Sequence, residues 1–203
     1  RLVPAVLAVM LASFYAHESR WTWSFAPGLW AGLAALLMIN NPSFRREKLK
    51  DLVRPVTLGL AGLFGGRILP DMITLLTSWF TAITARVGLS NETAEMPSMS
   101  INVLPDIAAS ATRQPLLWER LFPNSTYPAG ILLGVIWAAL PIFVLLVVSV
   151  IKKVWRPNWL QAAAVFTVST AFFAVGLTAS VKIGGGSNLH NLDMFLVTLV
   201  ITA

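Results

Sequence analysis

Residues 180–193 read Ser-Val-Lys-Ile-Gly-Gly-Gly-Ser-Asn-Leu-His-Asn-Leu-Asp, and no other stretch of the chain sets so many polar groups between two apolar runs. The consecutive glycines Gly184, Gly185 and Gly186 reach backbone conformations closed to other residues and let a ligand approach the main chain. Successive N–H groups in such a turn form an anion-binding concavity. Lys182 before the turn and a helix N-terminus after it would add positive potential. Ser187, Asn188, His190 and Asn191 offer hydrogen bonds to hydroxyls or phosphate oxygens, and Asp193 would orient His190 or Lys182. The chemistry expected of these residues is the holding of a phosphate or pyrophosphate at a membrane surface. The competing reading is a flexible hairpin between two membrane helices. In it Lys182 snorkels from the end of an apolar helix, and Asn188, His190, Asn191 and Asp193 cap the next one.

Other site chemistries find no footing. Gly184–Ser187 lacks the Gly-Lys-Ser/Thr ending of a nucleotide-binding loop, no G-x-G-x-x-G follows a strand, and no G-x-S-x-G elbow occurs. The two histidines, His17 and His190, are far apart and cysteine is absent, so no metal site and no resident cofactor are expected. No apolar run carries a row of acids or arginines of the kind that marks a proton relay or a voltage sensor.

The chain that must position this stretch has 203 residues, 56% of them hydrophobic and 12% charged. Its mean hydropathy is +0.72. Ordinary soluble domains carry roughly 25% charged residues, so this composition implies an integral membrane protein in contact with lipid. The net charge of +6 sits in short clusters beside apolar runs, the pattern of the positive-inside rule rather than of nucleic-acid binding. Several of the eight tryptophans flank those runs, as interfacial anchors do.

The runs predict an all-α, polytopic transmembrane helix bundle with about five to six spans, all in one domain over residues 1–203. Leu2–Tyr15 is the first apolar segment, followed by a polar connection at His17, Glu18 and Arg20. Pro27 suits the first turn of a second helix reaching about Ile39, stopped by Asn40-Asn41-Pro42. Arg45, Arg46, Lys48, Lys50 and Arg54, with Glu47 and Asp51, form the strongest basic cluster. Pro55–Arg86 is interrupted by Gly65-Gly66-Arg67 and Pro70-Asp71. It reads as a span over Pro55–Leu69 and then a helix in the interface, with a re-entrant pair as the alternative. Arg67 and Asp71 would pair at i, i+4 on a continuous helix. Residues 87–127 form a long polar loop whose apolar residues would pack back on the membrane face in interfacial helices. Ala129–Ile151 and Trp159–Val181 are clear spans, and Leu192–Ala203 begins another. The chain opens at Arg1 inside one apolar run and ends inside another, so it reads as a piece of a longer polytopic protein.

Charge parity orients this arrangement. With loops 41–54 and 152–158 in the cytoplasm, the inner side holds eight Lys and Arg. Loops 87–127 and 182–192 then lie outside, and the outer side holds five. This places the Gly-rich turn on the extracytoplasmic face, where a lipid-linked phosphate is a better ligand than a nucleotide.

Ser180, Lys182, Gly184, Gly185 and Asn188 resemble the Ser-x-Lys-x-Gly-Gly-x-x-Asn pattern that ends a late apolar helix in bacterial polytopic GT-C glycosyltransferases, relatives of the protein mannosyltransferases. The resemblance covers about a dozen residues of the C-terminal part. It implies transfer of a sugar from a polyprenyl-phosphate donor to an acceptor outside the cytoplasm, in the bacterial inner membrane. It also implies a catalytic Asp or Glu in an early outer loop. Glu18 stands in such a loop without the surrounding motif, so the catalytic acid is expected outside this chain. A transporter or permease, with polar residues facing one another on broken helices near Gly65–Asp71, and a noncatalytic subunit of an envelope polysaccharide assembly are the alternatives.

Overall fold

A computed structural model describes residues 2–39, 49–86, 121–123, 130–182 and 192–203. Among these residues the regular structure is entirely helical: α1 (Leu2–Ser19), a 3₁₀ turn (Trp21–Trp23), α2 (Ala26–Leu37), α3 (Leu49–Leu63), a π turn (Phe64–Ile68), α4 (Leu69–Arg86), α5 (Ile131–Ile151), α6 (Trp159–Lys182) and α7 (Asp193–Thr202). Among the described residues four helical stretches are long and apolar enough to cross a membrane: Leu2–Ser19, Leu49–Thr84, Ile131–Ile151 and Trp159–Leu177.

Two expectations are corrected. The first apolar segment does not end at Tyr15; α1 carries His17 and Glu18 and stops at Ser19, whose Oγ donates to the Ala16 carbonyl at 3.1 Å. A change to polar side chains alters what surrounds a helix, not its backbone bonding. The second correction concerns Pro55–Arg86. It is not a span followed by a separate interfacial helix, and it is not a re-entrant pair. α3, the π turn and α4 form one continuous helix whose first turns already include Lys50, Asp51 and Arg54.

Pro70 explains why that helix widens without breaking. It has no N–H to donate to the carbonyl four residues back, and its ring crowds that carbonyl. The turn just before it adopts i→i+5 bonding, with Leu69 N–H donating to Phe64 O, which spreads the backbone where the ring needs room. The stretch Leu49–Thr84 covers 36 residues, about 54 Å of helix against a hydrocarbon core of about 30 Å. The hydroxyls of Thr74, Thr77, Ser78, Thr81 and Thr84 donate to carbonyls three or four residues earlier, so none needs a partner from outside the helix.

Glycines set the packing of the first half. A Cβ at Gly28 would lie 2.5 Å from the Gly62 Cα, and one at Gly32 would lie 2.9 Å from the Pro55 carbonyl oxygen. α2 and α3 therefore run antiparallel with their backbones in direct contact, the small-residue packing by which helices associate in lipid. α1 crosses this pair: Gly65 packs on the Met10 backbone, the fully buried Ser13 lies beside Gly62, and Gly66 packs on the Ser24 carbonyl in the α1–α2 connection.

Gln161 joins the second half to the first. It forms a reciprocal capping box at the start of α6: Gln161 N–H donates to Asn158 Oδ1 at 2.9 Å, and Asn158 N–H donates to Gln161 Oε1 at 3.0 Å. Its amide Nε2 then reaches the carbonyls of Leu36 and Leu37 in the last turn of α2, at 3.1 and 3.3 Å, and that of Ile39 just past it, at 3.0 Å. One buried side chain thus starts one helix and ends another. At the far end of α5, Lys153 takes φ +58°, with Val154 N–H on Ser149 O and Lys153 N–H on Val150 O. This is the Schellman closure, with a lysine where glycine is usual.

Aromatic side chains complete the core. Phe172 of α6 and Met194 of α7 close on Ala26 of α2, with Trp23 and Trp30 packed against them. Trp30 Nε1 donates to Thr198 Oγ1 at 3.0 Å, which donates to Met194 O at 2.7 Å. Ile131 and Val135 of α5 pack on Leu192, beside Phe173 and Phe195. The start of α6 therefore lies at the C-terminal end of α2, and the start of α7 at its N-terminal end.

The glycine contacts lead to opposite expectations for neighbouring positions. Gly62→Ala drives a methyl into the α2 backbone and should destabilise the bundle by about 1–3 kcal/mol. Gly59→Ala, where a Cβ meets nothing within 4 Å, should stabilise it by about 0.5–1 kcal/mol through helix propensity. Equilibrium unfolding in mixed detergent micelles measures both. The same assay should give a loss of about 2 kcal/mol for Gln161→Leu, which removes a cap and leaves carbonyls without their donor.

Candidate functional site

The Gly-rich stretch is approached from two fixed stems. Lys182 is the last residue of α6 and Asp193 the first of α7. Gly184, Gly185, Gly186, Ser187, Asn188, His190 and Asn191 lie outside the described residues. At the re-entry stem Leu192 is 2% exposed and Met194 1%, one against α5 and the other against α2 and α6.

Two parts of the expectation change at this stem. The N-cap of α7 is Leu192, without a side-chain cap bond, so Asp193 is not the cap but stands inside the first turn. A carboxylate there is favourable with the helix dipole. It also offsets the partial positive charge that this N-terminus was expected to lend to an anion.

Other polar groups collect at the same end of the bundle. His17 Nδ1 lies 3.1 Å from Ser24 Oγ. The Arg20 guanidinium sits 6.0 Å from the centre of the Trp23 ring. Arg67 Nε is 3.6 Å from Asp71 Oδ2, so the i, i+4 pair forms across the π turn, with each side chain about one-third to two-fifths exposed. Gly66, packed on the Ser24 carbonyl, brings the π turn to the connection that follows His17. Sequence reasoning named His17, Arg67 and Asp71 separately and missed that they share one end of the bundle. The overlooked signal is the spacing of Gly62, Gly65 and Gly66, which places small residues on α3 and the π turn where α1, α2 and their connection approach. Ser24 was missed outright.

Arg67 and Asp71 form a local pair on one helix, and nothing described turns them toward a substrate path. Among the described residues no three His, Asp or Glu side chains converge to hold a metal. Comparison of the chain with family models, with characterised proteins and with solved structures finds no match.

A part-exposed i, i+4 ion pair contributes little. Asp71→Asn should therefore shift unfolding by less than about 1 kcal/mol. A larger loss, measured by thermal unfolding in detergent, would mean that the pair holds α4 against the bundle.

Proposed function

We propose that this chain is part of an integral membrane glycosyltransferase that moves a sugar from a polyprenyl-phosphate donor to an acceptor on the extracytoplasmic face. The membrane setting rests on the four apolar helices of spanning length. The observation that carries the placement is the relation of the two bundle ends. Lys50 and Arg54 lie in the first turns of α3, and Lys152, Lys153 and Arg156 lie between α5 and α6. Both groups stand toward the end where α2 finishes and Gln161 caps it. Lys182 and Asp193 stand toward the other end. With the basic end in the cytoplasm, by the positive-inside rule, the Gly-rich turn faces the outside of a bacterial inner membrane.

In this reading Lys182 and the amides of Gly184, Gly185 and Gly186 stabilise the departing lipid phosphate as the bond from the anomeric carbon to its oxygen breaks. Ser187, Asn188, His190 and Asn191 hold sugar hydroxyls or phosphate oxygens, and Asp193 orients its neighbours. A carboxylate base supplied from outside this chain takes the proton of the acceptor hydroxyl, whose oxygen forms the new bond to the anomeric carbon. The transporter alternative asks for a broken helix at Gly65–Asp71; that segment is continuous, so it adds nothing in favour of that reading.

Lys182→Ala in the full-length protein should lower kcat/KM for the lipid-linked donor by about 100-fold, with Lys182→Arg recovering part of it. Unchanged turnover together with unchanged donor affinity would overturn the proposal.

A further inference from the structure

α4 sorts its side chains completely. Asp71, Thr74, Ser78 and Thr81 recur at intervals of three and four residues, and Thr77 and Thr84 stand beside them. Every acid and hydroxyl of α4 therefore falls on one half of the helix. Met72, Leu76, Trp79, Phe80 and Ile83 fall on the other half, each between 37% and 65% exposed. Arg67 joins the polar half through its pair with Asp71, and both side chains of the pair are part-exposed.

A threonine or serine that donates to its own helix carbonyls can face lipid, so the hydroxyls alone decide nothing. Their placement decides more. Hydroxyls indifferent to their surroundings have no reason to keep to one half of a helix, or to choose the half that carries an acid and its arginine.

Depth adds a second constraint. Arg67 lies 13 residues past Arg54 on the continuous helix, about 20 Å of rise. Arg54 is exposed, and its charge belongs at a boundary with water. The Arg67–Asp71 pair then lies short of the far boundary of a hydrocarbon core about 30 Å thick. Ionisable groups at such depth face the protein interior or a water-filled cavity, and this part-exposed pair is not enclosed by the described residues. Thr84, 30 residues past Arg54, stands about 45 Å along the helix and so beyond that boundary, even at a tilt of about 40°. The polar half of α4 thus runs from water at Thr84 to a charged pair inside the core.

We propose that the polar half of α4 bounds a water-filled crevice that enters at the Thr84 end and reaches Arg67 and Asp71, while the opposite half faces lipid chains. The crevice takes water and small hydroxylated solutes. The hydroxyl protons of Thr74, Thr77, Ser78 and Thr81 are spent on helix carbonyls, so their oxygens face the crevice as acceptors, and the ion pair supplies one charge of each sign at its inner end. This crevice does not depend on the donor reading of the Gly-rich turn.

The test scans α4 of the full-length protein, in phosphatidylcholine vesicles, with single nitroxide labels. This chain contains no cysteine, so with any cysteine outside it replaced, each introduced cysteine carries the only label. Collision with molecular oxygen reports contact with lipid, and collision with a water-soluble nickel chelate reports contact with water. Oxygen contact should peak at Met72, Leu76, Trp79 and Ile83, and nickel contact at Thr74, Thr77, Ser78 and Thr81, the two patterns half a helical turn apart. The depth read at Met72, Leu76 and Ile83 should become shallower by about 1 to 1.5 Å per residue. Nickel contact at Thr74, next to a Leu75 label that reads hydrocarbon depth, is the expected mark of water inside the core. Hydroxyl positions shielded from both reagents would show that face packed on protein, and oxygen contact all round would show it in lipid. Nickel contact all round would put α4 in water, and constant depth from Met72 to Ile83 would lay it flat on the surface. Each of these four results overturns the crevice. A label that prevents folding at one position leaves the phase of the pattern readable from the others.

Discussion

The contact between Gly28 and Gly62 is the constraint on which the rest of the bundle depends. In a hydrocarbon environment two apolar helix faces gain nothing by leaving lipid for each other, so association rests on close packing. α2 and α3 achieve it by removing side chains at the crossing, where a Cβ on one would collide with the main chain of the other. The same device then recruits α1, because Gly65 admits the backbone at Met10 and Gly66 admits the carbonyl of Ser24. Three helices are thereby placed relative to one another before any large side chain is counted. The aromatic cluster of Trp23, Trp30 and Phe172 attaches α6 and α7 to the face of α2 that remains.

Such close approach has a cost that Gln161 offsets. α2 is short, and the carbonyls of Leu37 and Ile39 at its end have no partner within the helix. Unpaired carbonyls in a low-dielectric setting are costly. A neutral amide brings donors there without the desolvation cost of a lysine. The reciprocal bonds to Asn158 orient the amide so that its NH₂ faces the α2 carbonyls.

The sequence made the helical class, the start of α2 at Pro27 and the spans of α5 and α6 legible, because apolar length and terminal charge mark a membrane helix directly. Gly65, Gly66 and Pro70 misled, because glycine and proline were read as a break between a span and an interfacial helix. Inside a packed bundle, Gly65 and Gly66 are contact points, and Pro70 is absorbed by one wide turn. The end of α1 was placed too early for a related reason: His17 and Glu18 signal a change of surroundings, yet they leave the backbone free to continue. Asn158-x-x-Gln161 was a readable capping box, hidden by the more conspicuous basic residues before it. Of the candidate site only Lys182 and Asp193 lie among the described residues; of the two readings of Asp193, the structure replaces the cap of the hairpin reading with a first-turn carboxylate.

The two ends of the bundle treat polar groups differently, and that difference bears on where chemistry belongs. At the α2 C-terminal end the cations Lys50, Arg54, Lys152, Lys153 and Arg156 are all exposed. Exposed charge of one sign orients a protein in a membrane and attracts anionic head groups, and both effects work without fixed geometry. At the other end the described polar groups have protein neighbours: His17 with Ser24, Arg67 with Asp71, Arg20 over Trp23. The Gly-rich turn leaves and re-enters the bundle at this second end. Its return is held by Leu192 and Met194, wedged among α5, α2 and α6. In the proposed reading a ligand held between Lys182 and Asp193 would meet the end of the bundle where other polar groups have partners, not the end that carries the exposed cations.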